Sequence, residues 1–449
     1  MGVPLDPAKQ QEFAVEVVAK LRAAGYEALW AGGCVRDWLL GRTPKDFDVA
    51  TSARPEQVRV VFGAKRTLAI GAQFGVIAVL GPRGAGQVEV ATFREDGDYS
   101  DGRRPDEVRF SSPERDAQRR DFTINGMFFD PIQGVVHDYV EGQADLNNRL
   151  IRAIGDPLAR ITEDKLRMLR AVRFTTTFDF ILEDATRDAV RAMSDQITVV
   201  SGERICQELR RLLVDPHRAR GLELLRDVNL LRFVLPEWGD DADALDGACR
   251  EYPGLTHWQA AAKILTALES PSFPLALAAA LVVPLQASSE APPDPRWARL
   301  AARRTESVRL AEAIAARLKL SNDEADRAAW LWTHRDELND APARPWSEVQ
   351  PLLVAPGADE LIALAEARRA ARDLPIDDLR FCRDKLALPP AELNPPPLLN
   401  GGDLIKHCVP KGPIYRTLLD AVRAAQLNLQ IGSRDEALAL VDRLVEKQQ

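Results

Sequence analysis

The chain has 449 residues, 46% apolar and 28% charged, with a net charge of −8. That is the composition of a globular protein of about three domains, and it excludes a uniformly basic nucleic-acid coat while leaving room for a local basic face. No apolar run approaches the ~20 residues of a membrane span, and the start, MGVPLDPAKQQEF, has no apolar leader core. Cys34, Cys206, Cys249, Cys382 and Cys408 are scattered and never spaced C-x-x-C, so neither a zinc site nor a disulfide framework is expected. A reducing cytoplasm is the natural compartment.

Residues 9–24 are amphipathic. Phe13, Ala14, Val17, Val18 and Leu21 share one face, and Gly25 ends the run, which predicts a packing helix. The stretch from Leu29 to Thr51 follows: a short apolar strand, Gly32-Gly33, a helix over Cys34–Leu40, a turn, then Asp46-Phe47-Asp48. Two carboxylates two residues apart on a strand share a face, and Phe47 between them points to a core. Such a pair repels itself unless a cation intervenes, and hard oxygen ligands suit Mg²⁺ and phosphoryl or nucleotidyl transfer. The glycines let backbone approach phosphates closely, and the helix start adds N–H donors.

Arg54–Phe62 reads as a second helix, and Val76–Leu80 and Val88–Phe93 as a hairpin across a Gly-rich turn. Glu89 sits inside the second strand. It is either an outward residue of an alternating strand or a third carboxylate near the cation. Residues 94–109 are dense in charge and glycine, which predicts a surface loop or a lid near a nucleotide. Arg119-Arg120-Asp121-Phe122-Thr123-Ile124-Asn125 comes next, with guanidinium forks suited to a triphosphate and Asp121 as a cap. A strand at Phe128-Phe129 and a turn close the first domain near Asp145.

From Leu150 the pattern is helical. Asp164, Arg167, Arg170 and Arg173 recur at intervals of three, which on a helix makes one polar stripe. The stripe is either a salt-bridged surface or a set of donors and acceptors that can pair with the edges of cytosine or adenine. Ser201–Leu213 reads as a structural helix. Residues 256–284 have the layout of an HD-type phosphohydrolase helix pair, but Val282-Val283 stand where its His-Asp pair is needed, so this segment reads as scaffold. Residues 288–295 and 389–397 read as linkers. Trp330 and Trp332 read as core. Lys406, His407, Lys411 and Arg416 form a modest basic cluster near the C-terminal end.

In this order and spacing, GGCVRD…DFD, the charged loop, RRDFTIN and E-D-x-x-R resemble the family of class II tRNA CCA-adding enzymes and bacterial poly(A) polymerases. The resemblance is strong over residues 31–213 and returns over 399–445. It implies an α+β fold: a nucleotidyltransferase (polymerase-beta-like) head over 1–145, then a helical neck (146–213), body (214–390) and tail (391–449). It implies template-independent addition of CCA to the 3′ end of tRNA from CTP and ATP. Asp46 and Asp48 would hold Mg²⁺, and Gly33, Arg36 and Arg120 would cradle the nucleotide's phosphates. Asp164 and Arg167 would read the base, supported by Arg170 and Arg173. The tail cluster would touch the tRNA backbone. A-only addition, poly(A) synthesis and a non-catalytic RNA-binding relative are the alternatives. Gly126 stands where the family usually has Ala, and Lys165 where it usually has Pro.

Overall fold

The computed structural model describes residues 4–71, 75–96, 108–239, 245–283, 308–410 and 412–446. Most of the charged loop (97–107), the 288–295 linker and Lys411 lie outside these. The chain forms two compact units, Met1–Pro236 and Glu237–Gln449.

The first unit opens with helix α1 (Pro7–Ala23). Asp6 caps it by accepting from the N–H groups of Ala8 and Lys9, and Pro7 fits its first turn. The five apolar residues expected on one face are all at most 2% exposed. Strands β1 (Ala28–Ala31), β2 (Asp48–Thr51), β3 (Thr67–Gly71), β4 (Val76–Leu80), β5 (Gln87–Thr92), β8 (Phe128–Asp130) and β9 (Val135–His137) form one sheet in the order β3-β4-β5-β2-β1-β8-β9. The expected hairpin is β4–β5, paired from Val76↔Ala91 to Leu80↔Gln87. Strands β2 and β5 pair in parallel while the other neighbours are antiparallel. A separate ribbon joins β6 (Arg94–Asp96) to β7 (Val108–Phe110).

Helix α2 (Gly33–Leu39) leaves the end of β1, α3 (Pro55–Phe62) follows β2, and α4 (Pro113–Gln118) precedes the RRDFTIN stretch. Leu29, Ala31 and Ala50 bury one face of the sheet with Phe93, Ala117 and Phe128. Trp30 anchors the other, with Phe47 at 4.7 Å and Phe129 at 5.6 Å between ring centroids.

The region after Leu150 is not purely helical. Strand β10 (Leu150–Ile151) pairs in parallel with β11 (Ile181–Leu182), framing helices α6 (Pro157–Glu163) and α7 (Arg167–Phe178); α5 (Gly142–Asn147) comes before them. Helices α8 (Asp184–Ala192), α9 (Gly202–Leu213), α10 (Arg218–Asp227) and α11 (Leu231–Val234) complete the unit.

In the second unit, the former HD-like segment is two helices, His257–Ala267 and Phe273–Leu281. Val282 and Val283 are buried at 1% and 0% exposure, so packing has taken over where that chemistry would need a His-Asp pair. Trp332 is core, its indole N–H donating to the Ala278 carbonyl at 3.0 Å, whereas Trp330 is only half-buried. In the basic cluster His407 is bonded to Asp442 at 2.7 Å and Arg416 lies 3.8 Å from Asp420. Carboxylates therefore offset two of its four members. No helix among the described residues is long and apolar enough to cross a membrane.

Gly126 has a local reason. A Cβ there would lie 2.6 Å from Val140 Cγ2 and 3.1 Å from Ile154 Cδ1. Val140 fills the space that an alanine methyl would need. Gly126→Ala is expected to cost about 1 kcal/mol by overpacking, and Gly126→Ala/Val140→Ala to cost less than the sum of its parts, measured by urea unfolding. Additive losses would show that the two sites do not compete for one space.

Candidate active site

One cleft of about 990 Å³ lies in the first unit, and all nine candidate residues line it: Gly33, Arg36, Asp46, Asp48, Arg120, Asp164, Arg167, Arg170 and Arg173. Ten cationic and six acidic side chains line it in total, although the whole chain is acidic.

The carboxylates come from one end of the sheet. Asp48 is the first residue of β2, but Asp46 sits in the bend before it rather than on the strand. The alternation holds: Phe47 is 3% exposed, while Asp46 and Asp48 open outward. Parallel pairing sets Glu89 of β5 opposite Asp48. Although Asp48 opens into the cleft, the protein packed around its carboxyl displaces water and pushes it up to about 6, and the Glu89 and Asp46 charges add to this against the pull of Arg120. Among the described residues, none of these three carboxylates has a hydrogen-bond or ion-pair partner. Asp121 differs. Burial alone would raise it, but Arg170, Asn125 and the Phe122 N–H outweigh burial and hold it down at about 2. With Asp121 committed, Glu89 is the third acid beside the pair.

As they stand, no three His, Cys, Asp or Glu side chains among the described residues converge tightly enough to enclose an ion. The donor chemistry nevertheless fits a hard divalent cation: two unpartnered, mutually repelling carboxylates, Asp46 and Asp48, line the open cleft, and Glu89 stands opposite Asp48 on β5.

The arginines, by contrast, are partnered. Arg36 is 8% exposed; its Nη1 donates to Asn125 Oδ1 at 2.6 Å, its Nε and Nη2 to Asp37 Oδ1, and its guanidinium lies 4.3 Å from the Phe178 ring centre. Arg119 and Arg120 both pair with buried Asp116. Asn125 also donates to Asp121 at 3.1 Å, and Asp121 accepts Arg170 Nε at 2.8 Å. Arg173 pairs with Glu208, itself 5% exposed on α9. A continuous polar chain thus runs from α2 through Asn125 and Asp121 to α7 and α9. Gly32 makes room for it: φ is +74°, and a Cβ would lie 2.7 Å from Arg120 Nη1.

The expected four-residue stripe is broken. Asp164 lies after α6 in extended backbone, and α7 starts only at Arg167, so Arg167, Arg170 and Arg173 share a helix that Asp164 does not. The cause is local: Asp164 Oδ1 accepts the Leu166 N–H at 3.0 Å, a turn that competes with helix. Asp164 does not pair with Arg167 either. Arg204 of α9 grips both its oxygens, at 3.1 and 2.8 Å. Arg167 instead donates to Glu163 and to the carbonyls of Arg160 and Arg119. Arg204 and Glu208 were thus missed as positioning groups; the pattern S-G-E-R-I-C-Q-E places both on one helix, but nothing local says what they face.

Two predictions follow from these charges. Without a divalent cation the folded protein holds a proton at Asp48 more tightly than the unfolded chain, so this group's stabilisation is present below about pH 4 and lost as pH rises through about 6. Thermal stabilisation by added divalent cation should therefore be large at about pH 7.5 and small at about pH 5; an equal shift at both would remove Asp48 from the cation site. Asp121→Asn should cost about 3 kcal/mol in urea unfolding by leaving Arg170 without its main partner, and a neutral result would remove the polar chain as a stabilising element.

A family model described as the poly A polymerase head domain matches residues 28–152, and one described as the probable RNA and SrmB-binding site of polymerase A matches residues 179–241. The chain is 32% identical over 430 residues to the CCA-adding enzyme of Geobacillus kaustophilus, covering 95% of each. It is 36% identical to poly(A) polymerase I of Haemophilus influenzae, over 52% of this chain and 53% of that one. The crystal structure of the Bacillus stearothermophilus CCA-adding enzyme in complex with CTP superposes with a TM-score of 0.69 at 28% identity, covering 98% of both chains. The Thermotoga maritima CCA-adding enzyme complexed with tRNA shares the fold at a TM-score of 0.62 and 17% identity. The chain belongs to the family of CCA-adding enzymes and bacterial poly(A) polymerases.

Proposed function

We infer that this chain adds CCA to the 3′ end of tRNA, using CTP and ATP and no nucleic-acid template. One observation carries the reading. Unpartnered carboxylates suited to a cation share a single cleft with a carboxylate and a guanidinium suited to reading a base. The full-length match to a CCA-adding enzyme favours this activity over poly(A) synthesis, for which the match spans half of each chain. Functionally we divide the chain into head (1–145), neck (146–213), body (214–390) and tail (391–449), the tail being the tRNA-holding part. Five free cysteines, four of them buried, accord with a cytoplasmic enzyme.

In the reaction the 3′-hydroxyl oxygen of tRNA attacks the α-phosphorus of the nucleotide, the bond to the β-phosphate breaks, and pyrophosphate leaves. Asp46 and Asp48, with Glu89 beside them, would hold Mg²⁺, which when bound offsets charge on the reacting phosphate and orients the hydroxyl. Gly33 keeps the backbone bare beside the phosphates. Arg36 and Arg120 are held by their partners with N–H groups to spare, since each guanidinium has five. Cytosine and adenine both present an exocyclic amino group next to a ring-nitrogen acceptor. Asp164 can accept from the first and Arg167 donate to the second, standing in for a complementary base. Arg170 and Arg173 support that helix.

Transfer RNAs ending before the first C, after C and after CC, each given one labelled nucleotide, test the activity. C should enter the first two and A only the third; A on the third substrate alone would mean A-only addition, and runs of A on all would mean poly(A) synthesis. Asp48→Ala should lower incorporation by roughly a thousandfold or more. Arg167→Ala should blur the choice between CTP and ATP by about tenfold in a competition assay, and unchanged selectivity would take Arg167 out of base reading.

A further inference from the structure

Nine of the ten cations of the cleft divide into two populations, and the division assigns a role to residues that the motifs leave out. Arg36 is offset by Asp37, Arg119 and Arg120 by Asp116, Arg167 by Glu163, Arg170 by Asp121 and Arg173 by Glu208. Each guanidinium is fixed in place, and each charge is largely spent inside the protein. Arg42, Lys45 and Arg211 also line the cleft and are exposed to it. Among the described residues none of the three side chains has a hydrogen-bond or ion-pair partner.

We propose that Arg42, Lys45 and Arg211 supply the net positive charge that captures phosphate in this cleft, while the paired arginines supply only fixed N–H directions. The assignment rests on the nucleotidyl-transfer reading above.

The geometry supports a ligand-facing role. Arg42 and Lys45 flank the turn that delivers Asp46, so any anion drawn to them lies beside the carboxylates. Arg42 is not merely solvated: its guanidinium lies 5.1 Å from the centre of the Phe178 ring, which Arg36 also faces. A cation over an aromatic ring keeps its charge while losing some of its freedom, so it is available at low ordering cost. Arg211 enters from α9. It lines the same cleft as Arg173 of α7. Unrelieved like charges in one cleft are stabilised by an anion between them, as Asp46, Asp48 and Glu89 are by a cation. A triphosphate with its divalent cation brings both signs at once.

Two sources carry this chemistry, the triphosphate of the incoming nucleotide and the terminal phosphodiester of the primer. Steady-state kinetics on the full chain separate them. Arg42→Gln, Lys45→Gln and Arg211→Gln are each measured for KM of CTP, of ATP and of tRNA, with inorganic tripolyphosphate as a competing anion. At least Arg42→Gln and Arg211→Gln should raise one of these KM values by roughly tenfold or more, the worth of a charge-assisted contact. A rise for both nucleotides together with weaker tripolyphosphate inhibition identifies the triphosphate; a rise for tRNA alone identifies the primer. Arg42→Lys should recover most of the loss, because charge rather than a fork is at issue. Unfolding midpoints should stay put, since no internal ion pair is lost. Unchanged KM values in all three glutamine variants of an active enzyme overturn the assignment. Absence of nucleotide addition by the wild-type chain overturns the underlying reading instead.

Discussion

The buried carboxylate of Asp121 is the point on which the first unit turns. An ionised group at 8% exposure is costly unless its oxygens are satisfied, and here Arg170, Asn125 and the Phe122 N–H satisfy them. Arg170 lies 49 residues away on α7, and Asn125 passes the connection to Arg36 on α2. One acid therefore joins the segment that carries the glycines, the RRDFTIN turn and the helix that carries Arg167. A head cut from its neck near residue 145 would keep Asp121 and lose Arg170, leaving a buried charge uncompensated. Asp121 and Arg170 accordingly lie in one compact unit, Met1–Pro236.

Charges in the cleft are arranged by role. Those that must hold a direction are tied down by opposite charges from the protein. Others are left unpaired, acids on the β2–β5 side and bases on Arg42, Lys45 and Arg211, and these are the charges we assign to ligands. Preorganised donors avoid reorganisation during reaction, and unpaired charges give binding its electrostatic drive. Asp164 belongs to the first class. Its grip by Arg204 fixes the plane of the carboxylate that a base would meet.

Much of this was legible in the chain, because the informative patterns are local. The face of α1, the β4–β5 hairpin and the alternation at Asp46-Phe47-Asp48 all follow from spacing. The nine candidate residues come from ordered motifs, and they line one cleft. What escaped was non-local. Whether Glu89 joins the carboxylates depends on its register against Asp48, which no spacing within β5 reveals. Arg204 reaches Asp164 across 40 residues, and Glu208 reaches Arg173 across 35. The helical stripe was misread for a different reason: three-residue spacing cannot show that Asp164 turns the chain. The signal was present, an Asp two residues before an amide it could cap at the start of a helical run.

The pairing of β2 with β5 ties the core to the site. Val49 meets Val90 one step along from Asp48 and Glu89, and both valines are at 0% exposure. Slipping β5 by one residue would turn Glu89 inward and Val90 outward, because side chains alternate with a period of two. The same register that packs the core assembles the acid trio. A sheet closed one residue out of register would at once lose packing and part the acids, so on the proposed mechanism turnover itself reports that this sheet has been laid down correctly.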